Sequence, residues 1–327
     1  MHTDKLFTEL LVQPVQNGCN HICVVSGYAT AAMAFHHFQE LRNQNNSFKI
    51  SLIVGMCAQD GLSQSNHKAF QDLMQSSYIG RFECSYLINS PPVHSKVYCW
   101  LRDNKPEQSY LGSANYTQNA FGSNQREAMT GCPPEQALDY YRSLLPQTII
   151  CTHPDAENLI QIYNDRYFAD LRRKANVSQP PASTVPVPVS NWTGLPSVTV
   201  SFLDRYGDLP QRSGLNWGQR PEVGREPNQA YIKLPSSIYE TDYFPVRTVH
   251  FTVLTDDGKV LICSRAQDNG KAIHTPHNNS LIGEYFRNRL GLPNGAPVTL
   301  DDLKRYGRTD VVFYKIDDET YYMDFSV

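Results

Sequence analysis

An α/β domain with a mixed sheet, joined to a small β-barrel domain, is the architecture that the order of apolar patterns in this chain predicts. Up to about residue 175, strand-like runs alternate with helix-like runs. Beyond about residue 191 most runs are strand-like, and a proline-rich segment lies between the two regions.

In the first region HICVVSGY precedes ATAAMAFHHFQELRNQ, and KISLIVGM precedes a polar turn and HKAFQDLMQ. FECSYLI is then followed by two more strand candidates, SKVYCWL and SYLGSAN. Strand-helix alternation predicts a mixed or largely parallel sheet with helices on both faces. DAENLIQIYNDRYFADLRRKA reads as a helix, its basic end suiting a helix C-terminus. Residues 176–190 form the linker, so the predicted domains are 1–175 and 191–327.

The second region holds PSVTVSFL, QAYIKLP, TDVVFYKI and ETYYMDFSV as strands, and HFTVLTDDGKVLIC as a hairpin with Asp257-Gly258 in its turn. One helix is expected in NSLIGEYFRNRLG, with Leu281, Ile282, Tyr285, Phe286 and Leu290 apolar or aromatic and Gly291 as the stop. Together these predict a small barrel with a helix or two.

The 327 residues suffice for two cores, and 40% apolar with 19% charged residues is ordinary globular composition. The N-terminus lacks a basic region before an apolar block, and no run approaches the roughly 18 apolar residues that span a bilayer. A soluble, cytoplasmic protein without membrane contact is expected. Net charge is −3, with 14 basic against 15 acidic residues through 175 and 15 against 17 after it. Any nucleic-acid surface must therefore be a local patch.

Seven of the eight cysteines precede residue 152: Cys19, Cys23, Cys57, Cys84, Cys99, Cys132 and Cys151. Several sit in apolar runs and read as buried free thiols of a reducing compartment. Cys19, His21 and Cys23 have a spacing compatible with zinc, but no second pair follows at finger or ribbon distance. Neither a metal nor a cofactor is expected. The chain also lacks a GxxxxGK[ST] loop for nucleotide.

The densest polar signal is VHSKVYCWLRDNKPEQSYLGSANYT, residues 93–117. On a strand, His94 and Lys96 project from one face, and on a neighbouring strand Ser113 and Asn115 do the same. A phosphodiester needs a nucleophile or general acid, which His94 supplies, and donors for its non-bridging oxygens, which Lys96, Ser113 and Asn115 supply. Glu127 is placed to hydrogen-bond the far nitrogen of the imidazole and orient it. His-x-Lys alone arises by chance, and Gly-Ser-Ala-Asn alone suits any turn. Their succession on adjacent strands, with a glutamate downstream, is far more specific.

These residues resemble the signature of the phospholipase D superfamily, His-x-Lys followed by Gly-Ser-x-Asn and a later glutamate. The match is His94-Ser95-Lys96, Gly112-Ser113-Ala114-Asn115 and Glu127, with the earlier SGYAT also similar. One position departs: the superfamily often has aspartate five residues after the lysine, where this chain has Leu101. Asp103 keeps strand parity but lies about 7 Å further along, so the role is not carried over to it. Loss of that aspartate is also typical of the superfamily's nuclease branches. Members build one active site from two motifs, and this chain has one, so the resemblance implies a homodimer. It further implies attack by one His94 to form a phosphohistidine, protonation of the leaving oxygen by the other, and no divalent metal in that step.

Substrate choice must come from the second domain. Arg212, Asn216, Trp217, Gln219, Arg220, Arg225, Asn228 and Gln229 crowd one polar segment, and Arg265, Gln267, Asp268, Asn269 and Lys271 another. Arginine can pair with guanine, and asparagine or glutamine with adenine, in the major groove. Read blandly, both segments are solvated loops. Over nearly its whole length the chain resembles restriction endonucleases of the BfiI and NgoAVII kind, which join a phospholipase-D-like nuclease domain to a B3-like DNA-binding pseudobarrel. That resemblance implies sequence-specific cleavage of double-stranded DNA, and association with a separate helicase-like ATPase subunit. The loops at 212–229 and 264–271 are the candidate DNA-clasping arms, chosen from polarity rather than from a matched motif. Two other classes compete. A phospholipase or phosphatidyltransferase would call for a second motif and lacks support from the polar C-terminal loops, and a DNA-binding regulator with an inactive nuclease fold is the reading that Leu101 favours.

Overall fold

The computed structural model describes residues 1–42, 47–122, 125–166, 192 and 194–327. The chain divides into two units, Met1–Phe168 and Ala169–Val327. The expected linker, 176–190, lies outside the described residues.

In the first unit β1 (His21–Ser26), β2 (Lys49–Val54) and β4 (Phe82–Leu87) are buried along nearly their whole length, because both faces of the sheet are covered. They run parallel. β5 (Val97–Arg102) joins β1 antiparallel, and β6 (Lys105–Gly112), β7 (Met129–Gly131) and β8 (Thr148–Ile150) complete the order β7-β6-β5-β1-β2-β4-β8. The expected mixed sheet is present. The helix Ala31–Leu41 crosses from β1 to β2, and the Thr30 hydroxyl caps it by accepting from the Met33 amide at 3.2 Å.

Strand alternation on β5 shows that helices lie on both faces. Trp100 stacks on Phe48 and meets His37 of the crossover helix, whereas Cys99 and Leu101 pack with Ala137, Leu138, Tyr141 and Leu144 of the helix Pro134–Leu144. Leu101 is 3% exposed within that cluster, which also holds Cys23, Val25, Ile53 and Leu87. A carboxylate there would be buried among apolar side chains. That is why leucine suits this position.

The helix expected across 155–175 is interrupted. A short helix Ala156–Leu159 gives way to β9 (Ile162–Tyr163), which pairs parallel with β3 (Leu62–Ser63). Buried Asp165 then accepts from the amide of Ser65 at 3.0 Å and from its hydroxyl, tying this segment to the start of the helix Gln64–Asp72. Residues beyond 166 in that stretch are outside the described set.

The second unit is a nearly closed barrel. β10 (Ser197–Ser201), β11 (Ile232–Lys233), β12 (His250–Thr255), β13 (Val260–Ala266), β14 (Ala272–His274), β15 (Asp310–Lys315) and β16 (Thr320–Asp324) take the order β10-β15-β16-β12-β13-β14-β11, and the two end strands approach each other. Among the described residues of this unit, β12 and β16 pair parallel and the other strand pairs are antiparallel. The expected hairpin joins β12 to β13, with Gly258 of its turn at φ 82°.

Inside the barrel Phe251, Val253, Phe313, Tyr321 and Met323 pack against Ile282, Tyr285 and Phe286 of the helix Ser280–Leu290. That helix ends at Gly291 in a left-handed conformation, as expected. All eight cysteines are free, and all but the half-buried Cys132 are buried. Among the described residues no helix is long and apolar enough to cross a membrane.

Candidate active site and nucleic-acid interface

Strand directions gather the motif residues. β1 ends at Ser26, antiparallel β5 begins at Val97, β6 ends at Gly112, and β7 begins at Met129, so residues 26–28, 94–96, 112–115 and 127 all fall at one end of the sheet. His94 and Lys96 occupy the extended segment just before β5 rather than the strand itself. Ser113 and Asn115 likewise follow β6. Gly112 is required there: a Cβ on it would lie 2.1 Å from the Ala128 carbonyl oxygen, so only glycine lets β6 close on the start of β7.

Lys96 is 6% exposed, and its ammonium donates to the carbonyl of His94 at 2.7 Å. The same Nζ stands 3.2 Å from both Nδ1 and Nε2 of His94, bisecting the two ring nitrogens rather than facing one lone pair. Burial pushes the pKa of Lys96 down, and the charge of Glu127 opposes that shift. The imidazole of His94 is exposed. The result is a solvent-facing ring backed by a desolvated cation.

Glu127 accepts from the Ser113 hydroxyl, and Ser113 Oγ in turn accepts from the Ala128 amide at 3.0 Å. This corrects the expectation that Glu127 orients the imidazole of His94. The glutamate follows the serine because the turn into β7 brings it beside the end of β6. Asn115 Oδ1 accepts from the Tyr28 amide at 3.1 Å and from Ser26 Oγ at 3.4 Å. Because an amide N–H needs an acceptor, the oxygen of Asn115 faces inward and its NH2 is left to donate outward.

Ser26, Tyr28 and Asp60 belong to this site and were not singled out by their chemistry. Buried Ser26 accepts from the Tyr116 amide at 2.9 Å and so fixes the loop that carries Asn115. The Tyr28 ring stands edge-on to His94, with centroids 6.0 Å apart, and its hydroxyl donates to Asp60. The resemblance of SGYAT was the one available signal. His21, weighed as a metal ligand, bonds Ser51 Oγ at 2.9 Å, and burial pushes its pKa down, helped by Lys49.

In the second unit the polar segments sort into two groups. Asn216 is 1% exposed and bridges the chain to Val298, donating to its carbonyl and accepting from its amide, each at 2.8 Å. Asn228 is buried and accepts from the Gly295 amide at 2.6 Å. Arg265 is 8% exposed, with its guanidinium donating to the carbonyls of Gly270, Asn269, Tyr239 and Phe244. In this conformation the polar atoms of Asn216 and Arg265 are spent on main-chain groups, and so is the Oδ1 of Asn228.

Other candidates stay nearer solvent. Arg225 lies 3.9 Å over the Trp217 ring and donates to Gln229 at 3.2 Å. Arg212 pairs with Glu222, and Arg220 donates to the Arg212 carbonyl at 2.8 Å. Gln219 donates to the carbonyls of Pro227 and Gly295, both at 3.1 Å. Gln267 and Lys271 are half-buried, and Asp268 and Asn269 are exposed. Left-handed backbone at Gln267 (φ 64°) and Asn269 (φ 58°) bends their loop around the Arg265 guanidinium.

One buried cation was missed: Arg287 is fully buried and donates to the carbonyls of Ala296, Gly283, Leu215 and Pro227. Beside it a Cβ on Gly283 would fall 1.7 Å from the Asn228 carbonyl oxygen, so glycine lets the 226–230 loop lie directly on the helix. No sequence signal separated Arg287 from the half-buried Arg289 beside it.

The mixed sheet with its end cluster, and the nearly closed barrel that follows, define a phospholipase-D-like nuclease domain coupled to a B3-like DNA-binding domain. Residues 4–158 match the NgoFVII restriction endonuclease N-terminal PLD domain, and residues 191–317 match the NgoFVII C-terminal B3-like DNA-binding domain. The chain belongs to this restriction endonuclease family. Both matches come from a single family, which agrees with the expected kind of enzyme.

Similar solved structures include NucT from Helicobacter pylori, at 18% identity over 45% of this chain and 91% of that one, with TM-score 0.32. Nuc from Salmonella typhimurium, a phospholipase D family member, is 16% identical over 43% and 88%, with TM-score 0.32. A polyphosphate kinase from Porphyromonas gingivalis is 13% identical over 53% and 27%, with TM-score 0.33. Comparison with curated proteins gave no match.

Proposed function

We propose that the chain cleaves double-stranded DNA at a specific sequence, using His94 as nucleophile in an active site completed by a second copy. The observation that carries this reading is the buried Lys96 ammonium 3.2 Å from both ring nitrogens of the exposed His94, at the sheet end that also holds Ser113, Asn115 and Glu127.

A lone pair of the His94 ring attacks phosphorus, a P–N bond forms, and the P–O bond to the leaving strand breaks. His94 of the second copy gives its proton to that leaving oxygen. Water then attacks phosphorus, the P–N bond breaks, and the proton of the water returns to the second histidine. Lys96, the Asn115 NH2 group and the Ser113 hydroxyl offset the charge on the non-bridging oxygens. In this reading no divalent cation takes part in the step.

Arg220, Arg225, Gln219, Gln229, Trp217, Gln267, Asn269 and Lys271 present the two arms to the duplex in this proposal, while Asn216, Asn228 and Arg265 hold the arms in shape. Arg212 adds a phosphate contact once its pair with Glu222 opens. Dependence on a separate ATPase subunit is read from the resemblance alone.

The test is His94→Ala in a plasmid-cleavage assay, with and without extract of the source cell. Site-specific cleavage is expected to fall by roughly 10⁴-fold or more, while duplex binding by gel shift is retained and wild type remains active in excess chelator. Undiminished cutting by the variant would overturn the reading.

A further inference from the structure

We infer that Tyr28, anchored by Asp60, is a positioning residue for His94 and Asn115 together. This inference rests on the His94 reading above. Three of the contacts of Tyr28 point in different directions. Its amide donates to Asn115 Oδ1 at 3.1 Å, its ring meets the His94 ring edge-on at 6.0 Å and 81°, and its hydroxyl donates to the Asp60 carboxylate. One residue thus touches both halves of the motif, which lie 21 positions apart in sequence.

Each contact is held from behind. Tyr28 stands two residues beyond the end of β1, and the next residue, Ala29, bridges to Tyr116, so the main chain at 28 is fixed against the loop bearing Asn115. Asp60 ends a short helix, its amide donating to the Met56 carbonyl at 2.9 Å. Two residues on, the Leu62 amide donates to the Gln161 carbonyl at 2.9 Å where β3 meets β9. The carboxylate therefore projects from backbone pinned on both sides.

A ring with a hydroxyl bonded to a fixed acid cannot turn freely about its χ1 and χ2. The histidine needs such a wall: it is exposed, precedes its strand, and is gripped by Lys96 only symmetrically between its two nitrogens. Edge-on packing of Tyr28 selects the ring plane that Lys96 leaves undetermined. With Leu101 buried under the helix Pro134–Leu144, no acid at that position assists the site, and Asp60 supplies a fixed carboxylate from another direction.

The experiment compares Tyr28→Phe, Asp60→Asn, the double variant and His94→Ala, in cleavage of a cognate duplex by the full chain, with thermal melts to confirm folding. Tyr28→Phe and Asp60→Asn are expected to lower kcat by similar factors of about 10 to 100, with KM within about twofold of wild type, and the double variant to fall no further than either. Tyr28→Ala, which removes the wall, is expected to be lower still, with Tyr28→Phe restoring part of the loss. Unchanged kcat in both single variants overturns the inference. So does a loss in Tyr28→Phe that Asp60→Asn does not share, which would mean that the hydroxyl acts on substrate. Full activity of His94→Ala would instead refute the catalytic reading beneath it.

Discussion

At the end of the first sheet Lys96, Ser113 and Asn115 each bond main chain at a single residue, His94, Ala128 and Tyr28, whereas Asn216, Arg265 and Arg287 of the second unit each bond main chain at two or more residues. A buried carbonyl or amide without a partner costs about 1–3 kcal/mol, so long irregular loops recruit polar side chains to meet that need. Polar residues therefore mean different things in the two places. A side chain with one main-chain partner keeps polar atoms for chemistry, and one that spans several is first of all scaffold.

The largest effect expected from this contrast comes from Gly112→Ala. Its Cβ has no room beside the Ala128 carbonyl, so β6 and β7 must part and separate Ser113 from Glu127. Cleavage of a cognate plasmid should fall by at least roughly 100-fold, while gel-shift affinity for the duplex, a property of the other unit, is preserved. A folded variant with normal cleavage would show that the serine-glutamate contact is dispensable.

Arg265→Ala and Arg220→Ala sharpen the contrast within the second unit. Removing the buried Arg265 strips partners from main-chain carbonyls and should lower stability by about 2 kcal/mol, read by urea unfolding, with binding to cognate and scrambled duplexes weakened alike. Arg220→Ala should leave stability nearly unchanged and cost about 1–3 kcal/mol of cognate binding only. If Arg265→Ala proved fully stable and lost only cognate affinity, its place as scaffold would be refuted.

The smallest effect concerns the pair under the hairpin, where Arg289 grips Asp256 with two bonds of 2.7 Å. Burial pushes the Asp256 carboxyl up, but the Arg289 guanidinium, the Phe325 amide and the Tyr285 hydroxyl outweigh it and hold the pKa below the ordinary aspartate value. A folded-state pKa below the unfolded one gives stability that is present above about pH 3.9 and lost as pH falls through the folded value. The melting temperature of wild type should therefore exceed that of Asp256→Asn at neutral pH, and the gap should narrow below about pH 4. A gap independent of pH would assign the loss to packing.

Much of the fold was legible because periodicity reports burial. The runs in β1, β2 and β4, the Asp257-Gly258 hairpin and the Ser280–Leu290 helix with its glycine stop all stand where the patterns put them. The helix expected across 155–175 was not, since its early half is broken by pairing of Ile162–Tyr163 with residues 100 positions earlier. In the site, His94, Lys96, Ser113 and Asn115 were legible as a spaced set. Glu127 was found, but its partner was not, because which acceptor a glutamate meets depends on how β7 returns beside β6.

By itself, then, the sequence determined the two fold classes, the His-x-Lys and Gly-Ser-x-Asn pair, and the family resemblance, because each rests on local spacing that survives without coordinates. Tertiary structure alone decided that Leu101 is core, that Tyr28 and Asp60 back the histidine, and that Arg265 and Arg287 hold main chain of neighbouring segments. Those outcomes hinge on which groups remain unpaired after distant segments meet. Hydrogen-bond satisfaction and burial are properties of the assembled chain, and no residue carries them in its name or its neighbours.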